Sequence, residues 1–255
     1  MFDSHIHSSI SSDSTLEATD ALRELKEKNI GGTFTEHYDF GYPEADSFLF
    51  DPKGYFSKYD DLRSSQFFLG VELGLVPGFG KSAADLIRNY PFDYVIGSIH
   101  VVENIDIYYP EFYTDRSKTE TYGAYLKAME ACILEFSDFD ALGHIDYIAR
   151  YAPYPDPEVW SDSNLHHLLD RVLKALIETG RVLELNTRRI ETNADFESIR
   201  PIYIRYAELG GHAVTLGSDA HTSERIGWKI REAHTFIESL GLKAVVFQKR
   251  KMIYL

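Results

Sequence analysis

The chain has 255 residues, with 26 Lys and Arg against 40 Asp and Glu, and a formal net charge of −14. Apolar residues make up 44% and charged residues 26%, which are globular proportions and exclude a disordered chain. The length suits one large α/β domain over residues 1–255, because a single barrel commonly takes about 200–250 residues. The acidic balance argues against binding to a nucleic-acid backbone.

The sequence shows no pattern typical of a membrane or exported protein. No apolar stretch approaches the roughly 20 residues that would span a bilayer, so no membrane partner is expected. Residues 1–5 lack the basic and apolar regions of a signal peptide. The single cysteine, Cys132, excludes an intrachain disulfide framework and suits a reducing compartment. We therefore expect a cytoplasmic protein, while its oligomeric state stays open.

Strand and helix patterns alternate along the chain. An apolar, β-rich run at residues 2–7 precedes a helix that a capping box of Ser14 and Glu17 begins and Gly31 ends. Six further runs of this kind lie at residues 32–37, 68–72, 94–100, 141–146, 182–186 and 213–219. Amphipathic stripes over residues 122–133 and 165–177 predict two of the intervening helices. Residues 38–66 and 151–157 are expected to be long loops, and 244–247 is ambiguous.

Seven strands joined by crossover helices predict an α/β protein with a parallel sheet, either open or closed. Polar residues follow each strand at its carboxyl end, where barrel enzymes keep their catalytic groups. This arrangement favours closure into a seven-stranded, TIM-like (β/α)7 barrel in a single domain, with the long loops over its active face.

Ionisable side chains recur at the ends of the predicted strands. Residues i and i+2 of a strand point to the same side, so His5 can converge with His7, and Asp219 with His221. Comparable positions after other strands hold Asp13, Glu36, His37, Glu72, His100, His144 and Asp146. Imidazole nitrogen and carboxylate oxygen suit borderline divalent metals, and burying so many of these groups together is costly unless cations compensate them. The sequence therefore predicts a metal site.

The motifs resemble those of the PHP (polymerase and histidinol phosphatase) superfamily and span nearly the whole chain. They are HIH at 5–7, TEH at 35–37, GVE at 70–72, GSIH at 97–100, GHID at 143–146 and SDAH at 218–221. The resemblance implies a distorted seven-stranded barrel that carries three divalent transition-metal ions (Mn, Fe or Zn).

The resemblance also implies a ligand set for each metal. One metal is expected on His5, His7, Glu72 and Asp219. Glu72 would bridge to a second metal, which His100 and His144 complete. The third would take His37, His221 and Asp13, a position where many relatives have a histidine.

The chemistry expected of such a centre is hydrolysis of a phosphate monoester. Divalent cations would bring more positive charge than the coordinated carboxylates remove, so an acidic protein could still attract phosphate. Metal-bound hydroxide would attack phosphorus in line, and the cations would stabilise charge on the phosphoryl oxygens. Glu36 and Asp146 are candidates for the general acid, although a role in orienting the ligand histidines is favoured for both.

Substrate-binding candidates lie in the segments that follow the predicted strands. Arginine can clamp phosphate through paired hydrogen bonds, and Arg150, Arg188 and Arg189 occupy suitable positions. Three tyrosines after His100 could form an aromatic wall for a ring or could merely cover the barrel. They are Tyr108, Tyr109 and Tyr113.

Within the superfamily, a stand-alone domain of this length resembles the histidinol-phosphatases of histidine biosynthesis. The implied substrate is L-histidinol phosphate, a small phosphomonoester. The alternatives are a PHP phosphoesterase acting on phosphotyrosine protein, a nucleotide or an oligonucleotide, a metal-stabilised binding module without catalysis, and a hydrolase of amide-like bonds. The last would typically use a carboxylated lysine, whereas the bridging position here is Glu72.

Overall fold

Strands and helices alternate through most of the chain. The computed structural model describes residues 1–44, 47–154, 160 and 162–255. Its strands are β1 (Phe2–Ile6), β2 (Gly31–Asp39), β3 (Phe67–Gly74), β4 (Tyr94–Ser98), β5 (Val101–Val102), β6 (Ile105–Asp106), β7 (Ala141–Leu142), β8 (Val182–Asn186), β9 (Ala213–Gly217), β10 (Lys243–Gln248) and β11 (Lys251–Tyr254). Its helices are α1 (Ala18–Lys28), α2 (Pro52–Tyr59), α3 (Gly80–Asn89), α4 (Lys118–Glu135), α5 (Ser163–Glu178), α6 (Asn193–Glu208) and α7 (Ile230–Ser239).

One large sheet organises the fold. Within the described ranges it has nine strands in the order β1-β2-β3-β4-β7-β8-β9-β10-β11, all paired in parallel except the antiparallel hairpin of β10 and β11. The α/β class, the parallel sheet and all seven predicted strands are confirmed. The count of seven is wrong, because the ambiguous segment at 244–247 becomes β10 and turns back into β11. The edge strand β1 meets the segment that follows β9 in an isolated parallel bridge between Ile6 and Ala220, so full closure stays a prediction.

Three predicted boundaries differ from those in the structure. Residues 38–66 are not one long loop, because β2 continues to Asp39 and α2 begins after Asp51, whose side chain accepts hydrogen bonds from two backbone amides of the first turn. The capping box of Ser14 and Glu17 does not form: α1 begins after Glu17, and the Ser14 hydroxyl donates to the carbonyl oxygen of His7 instead. Helix α1 ends before Gly31, at Asn29 in the left-handed conformation.

The other predicted long loop lies over residues 151–157. Residues 151–154 form no helix or strand, as expected, and residues 155–157 lie outside the described residues.

The predicted amphipathic stripes pack into the core. Tyr122, Tyr125 and Met129 of α4 are fully buried, as are Val172 and Leu176 of α5. Each such aliphatic side chain contributes about 1.5–3 kcal/mol relative to exposure. The packed helices cover the sheet and hold its strand ends in place.

In the part of the chain that the structure describes, no helix is both long and apolar enough to cross a bilayer.

Candidate metal centre

A cavity of about 470 Å³ opens at the carboxyl ends of the parallel strands. His37 lies in β2 and Glu72 in β3, whereas His100 is the second residue after the end of β4. The lining residues that matter below are Asp13, His37, Asp39, Tyr42, Glu72, His100, Asp106, Tyr108, Tyr109, His144, Arg150, Tyr151, Arg188, Asp219 and His221. Residues from distant parts of the chain therefore meet at one edge of the sheet, as predicted.

Glu72 lies at the centre of the cluster, and its Oε1 faces one pair of imidazoles. Nε2 of His144 is 2.8 Å from this oxygen and Nε2 of His100 is 3.4 Å away. The Ser98 hydroxyl donates to the same oxygen at 2.6 Å. The Oε1 side of Glu72 therefore faces His100 and His144, the grouping that the family resemblance implied.

The other oxygen of Glu72 faces a second group of imidazoles. Its Oε2 is 3.0 Å from Nδ1 of His37, 3.3 Å from Nε2 of His5 and 3.4 Å from Nε2 of His7. Burial raises the pKa of Glu72, but the surrounding imidazoles outweigh it and hold that pKa well below its ordinary value. An ionised carboxylate between two histidine groups is suited to bridge two cations.

His5 and His7 converge as expected from their spacing. Their Nε2 atoms are 3.0 Å apart, and Nε2 of His7 is 3.6 Å from Oδ1 of Asp219. Burial lowers the pKa of His5, yet Glu184 and Glu72 raise it well above its ordinary value overall. Burial and the neighbouring imidazoles lower the pKa of His7, which favours the neutral form that ligates metal.

The third predicted group also comes together. Oδ2 of Asp13 is 3.0 Å from Nε2 of His221 and 3.6 Å from Nε2 of His37. Burial raises the pKa of Asp13, but hydrogen bonds from both imidazoles lower it well below its ordinary value. Asp13 remains 39% exposed, so it sits at the cavity mouth.

The arrangement fits divalent metal ions by its donor chemistry. Four sets of three side chains each offer one ligand atom within 4.8 Å of the others: His5, His7 and Asp219; Glu72, His100 and His144; His7, His37 and His221; and His37, Asp39 and His100. Among the described residues, Oε2 of Glu72 and Oδ1 of Asp39 are buried without a hydrogen-bond donor. Buried acceptors of this kind are costly unless a cation completes them.

Two carboxylates that orient the histidines were missed by sequence reasoning. Glu184 approaches Nδ1 of His5 at 2.7 Å, and Asp39 approaches Nδ1 of His100 at 2.6 Å. Such contacts fix the imidazole orientation and leave Nε2 for a metal. Glu184 could have been noticed as an acid within a buried apolar strand. Asp39 could not, because β2 was predicted to end before it.

The two general-acid candidates do not line the cavity. Glu36 is fully buried, and its carboxylate accepts hydrogen bonds from the backbone and hydroxyl groups of Ser8 and Ser11. The Ser11 hydroxyl in turn lies 3.1 Å from Nδ1 of His7. Asp146 is buried too and pairs with Arg189 at 2.8 Å. These contacts favour the orienting interpretation for Glu36 and disfavour either residue as the acid.

The predicted substrate-binding residues divide into two groups. Arg150 and Arg188 line the cavity and donate to opposite oxygens of Asp219, at 3.2 and 2.9 Å. The prediction that Arg189 binds substrate is corrected, because Arg189 donates to Asp146 and does not line the cavity.

The tyrosines that follow His100 also differ in position. Tyr108 and Tyr109 stand at the rim, where Tyr109 is 45% exposed. Tyr113 is buried and donates to the carbonyl oxygen of Ile107, so it anchors the loop and does not face the cavity.

Comparison with known proteins agrees with this geometry. The PHP domain family model matches residues 3–188. A probable histidinol-phosphatase from Clostridium acetobutylicum is 39% identical over 100% of this chain and 99% of its own. The histidinol-phosphatase of Lactococcus lactis is 32% identical over 94% of this chain and 91% of its own.

A solved structure extends the likeness to the whole fold. Histidinol phosphate phosphatase from Lactococcus lactis, crystallised with Zn, L-histidinol and phosphate, superposes with a TM-score of 0.90 at 30% identity. The match covers 99% of this chain and 98% of that one. The resemblance seen in the sequence motifs is confirmed, and the chain belongs to the PHP domain family.

Proposed function

We propose that the chain is a metal-dependent phosphomonoesterase that hydrolyses L-histidinol phosphate to L-histidinol and inorganic phosphate, a step of histidine biosynthesis. The observation that carries the proposal is the cavity at the strand ends. It combines a carboxylate between two imidazole groups with two arginines, in a chain that is similar over its length to an enzyme crystallised with Zn, L-histidinol and phosphate.

The ligand groups support three divalent ions, drawn from Mn, Fe and Zn. His5, His7, Glu72 and Asp219 would hold the first. Glu72, His100 and His144 would hold the second, and Asp13, His37 and His221 the third. Bound there, such ions lower the pKa of water and neutralise charge on a phosphoryl group. The donor set is mixed imidazole and carboxylate, which these metals accept readily.

Arg150 and Arg188 would bind the phosphoryl group. Their guanidinium groups approach Asp219 from two sides, so both are directed at the same end of the cavity. A cation bound to Asp219 would neutralise that carboxylate. The N–H groups of both arginines would then be available to donate to phosphoryl oxygens. Planar guanidinium donors match such oxygens in charge and geometry.

The rim of the cavity is suited to bind a cationic organic group of the substrate, at the end away from the phosphate. Asp106 is only 7% exposed, and its oxygens accept hydrogen bonds from the Tyr42 hydroxyl and the Tyr108 amide. Within the described ranges, no Lys, Arg or His side chain pairs with Asp106. Its charge is therefore left for a ligand, and the rings of Tyr108 and Tyr151, 5.1 Å apart, offer faces for an imidazole.

A substrate panel tests the proposal directly. Initial rates would be measured with histidinol phosphate, phosphotyrosine, nucleotides and short DNA, each with Zn²⁺ or Mn²⁺ controlled. We expect metal-dependent phosphate release with a strong preference for histidinol phosphate. A preference for phosphotyrosine or DNA would overturn the substrate while leaving phosphoesterase chemistry, and cation uptake without any turnover would favour a binding module.

A further inference from the structure

Strand β1 and the segment that follows β9 meet at a weakly paired junction. We call this junction the seam and define it as residues 3–7 with residues 218–221. Its backbone contacts are the bridge between Ile6 and Ala220, made by hydrogen bonds from the His7 amide to the Ala220 carbonyl at 2.8 Å and from the Ala220 amide to the His5 carbonyl at 3.4 Å. Other neighbours such as β2 and β3 share a continuous ladder. Side-chain contacts therefore add to the backbone pairing that holds the two segments of the seam together.

The side chain of Asp3 supplies that connection. Its Oδ1 accepts a hydrogen bond from the Ser218 amide at 2.8 Å, and its Oδ2 accepts from the Ser218 hydroxyl at 2.6 Å and the Gly227 amide at 2.7 Å. Asp3 is fully buried, and in the described part of the chain no basic side chain pairs with it. The buried Asp3 carboxylate is therefore held by hydrogen bonds from these donors, without a basic partner, and connects β1 to the segment after β9.

The backbone held by Asp3 adopts a costly conformation. Asp219 follows Ser218 directly and has a φ of 53°, in the left-handed region. For a residue other than glycine this conformation costs about 1–2 kcal/mol and persists only where its surroundings hold it. The Asp3 carboxylate fixes both the amide and the hydroxyl of the preceding residue. It therefore helps to direct the Asp219 carboxylate toward His5 and His7.

We propose that Asp3 is a positioning residue for the cation that His5, His7, Glu72 and Asp219 would hold, which we call the seam cation. The inference rests on the ligand groups of the proposed function and not on the proposed substrate. Asp3 fixes the register between β1 and the segment after β9, so that ligands from these two segments face one ion. The set of Glu72, His100 and His144 comes from other strands, and none of these side chains is hydrogen-bonded to Asp3, although Glu72 would be shared with the seam cation.

Zinc affinity of the metal-stripped protein tests this role. Zn²⁺ would be titrated in competition with a chromophoric chelator into wild type, Asp3→Asn and Asp93→Asn. Asp93 is the matched control, because it is also a buried carboxylate that accepts two backbone amides, those of Leu69 and Lys249, but it lies away from the metal centre. Thermal unfolding of each protein would report the general loss of stability.

We expect Asp3→Asn to weaken binding of the seam cation by about 10–100-fold, the range typical of residues that orient metal ligands. At least one further zinc ion should lose less affinity than the seam cation, since Glu72, His100 and His144 are not hydrogen-bonded to Asp3. Asp93→Asn should lower the melting temperature without changing any zinc affinity.

Two results would overturn the inference: wild-type affinities at all sites in Asp3→Asn, or an equal loss in Asp93→Asn. If Asp3→Asn does not fold, Ser218→Ala decides instead, because it removes one donor to Asp3 and keeps the backbone amide. A weaker loss in the same direction supports the role, and unchanged affinity overturns it. Wild-type zinc uptake without hydrolysis of histidinol phosphate would defeat the proposed function and leave this inference standing.

Discussion

Arg188 and Asp219 are joined twice, by contacts from Nη1 of the arginine to Oδ1 and to the carbonyl oxygen of the aspartate, at 2.9 and 3.0 Å. The guanidinium group is therefore anchored beside a proposed metal ligand, where a phosphoryl group would bind. Replacement by glutamine removes a charge-assisted hydrogen bond worth about 1.5–3 kcal/mol. We expect Arg188→Gln to lower kcat/KM for histidinol phosphate by about 10–150-fold, measured by steady-state phosphate release.

Arg171→Gln is the control for that loss of charge, because Arg171 pairs with Glu130 on the protein surface. Its kinetic constants should match wild type. Unaltered kcat/KM in Arg188→Gln would contradict phosphate binding by this residue.

Asp106 should discriminate between substrates by their charge. Asp106→Asn keeps the size of the side chain but removes the negative charge that we assign to the cationic end of histidinol phosphate. We expect KM for histidinol phosphate to rise roughly tenfold, equivalent to ~1.4 kcal/mol, with little change for p-nitrophenyl phosphate. Equal effects on both substrates would argue against the assignment, and Asp85→Asn on the surface provides the control.

Removing the cations should abolish activity and lower the free energy of unfolding. After dialysis against a chelator we expect no phosphate release, with recovery on adding Zn²⁺ or Mn²⁺. Each site filled at about a hundredfold excess over its Kd adds ~2.7 kcal/mol to the free energy of unfolding, so the stripped protein should melt at a lower temperature.

His100→Ala should retain less metal and little activity, because it removes a ligand of the Glu72 group. His234→Ala, on the outer helix α7, should behave as wild type. Full activity in the chelator-treated protein or in His100→Ala would refute the metal centre.

Glu36 should make stability depend on pH in a defined window. Burial raises its pKa from 4.5 to about 7, in spite of the hydrogen bonds from Ser11 and Ser8. Because the folded-state pKa lies above the unfolded one, the folded protein binds this proton more tightly. The associated stability is fully present below pH 4.5 and is lost as the pH rises through 7.

Urea unfolding of the metal-free protein between pH 4.5 and 8 checks this expectation. The free energy of unfolding of wild type minus that of Glu36→Gln should fall by about 3 kcal/mol across the window. A difference that does not vary with pH would contradict it. Glu27→Gln, on an exposed face of α1, should give a constant difference.

The strands and most of the side chains that meet in the cavity could be predicted from the sequence because both signals are local. His5 and His7 stand two apart at the end of an apolar run, and Glu72 closes another, so period and position alone place them at one edge. The extra strands β10 and β11 could not be predicted in the same way. Their hairpin depends on pairing with β9, which the composition of a short apolar run does not reveal.

The partners of the site residues could not be predicted, because they depend on neighbours across the sheet. Arg188 and Arg189 are adjacent in sequence, yet one contacts Asp219 in the cavity and the other Asp146 outside its lining. Asp39 and Glu184 orient histidines from strands far away in the chain. Which of several plausible acids or arginines faces the cavity is decided by tertiary packing.

The contact between Asp3 and Ser218 joins residues 215 positions apart. Contacts of such long sequence separation are slow to form, because a large loop must close before they stabilise anything. During translation, the first histidines emerge long before Asp219 and His221 exist. The seam cation would therefore find its complete ligand set only after most of the chain has been synthesised.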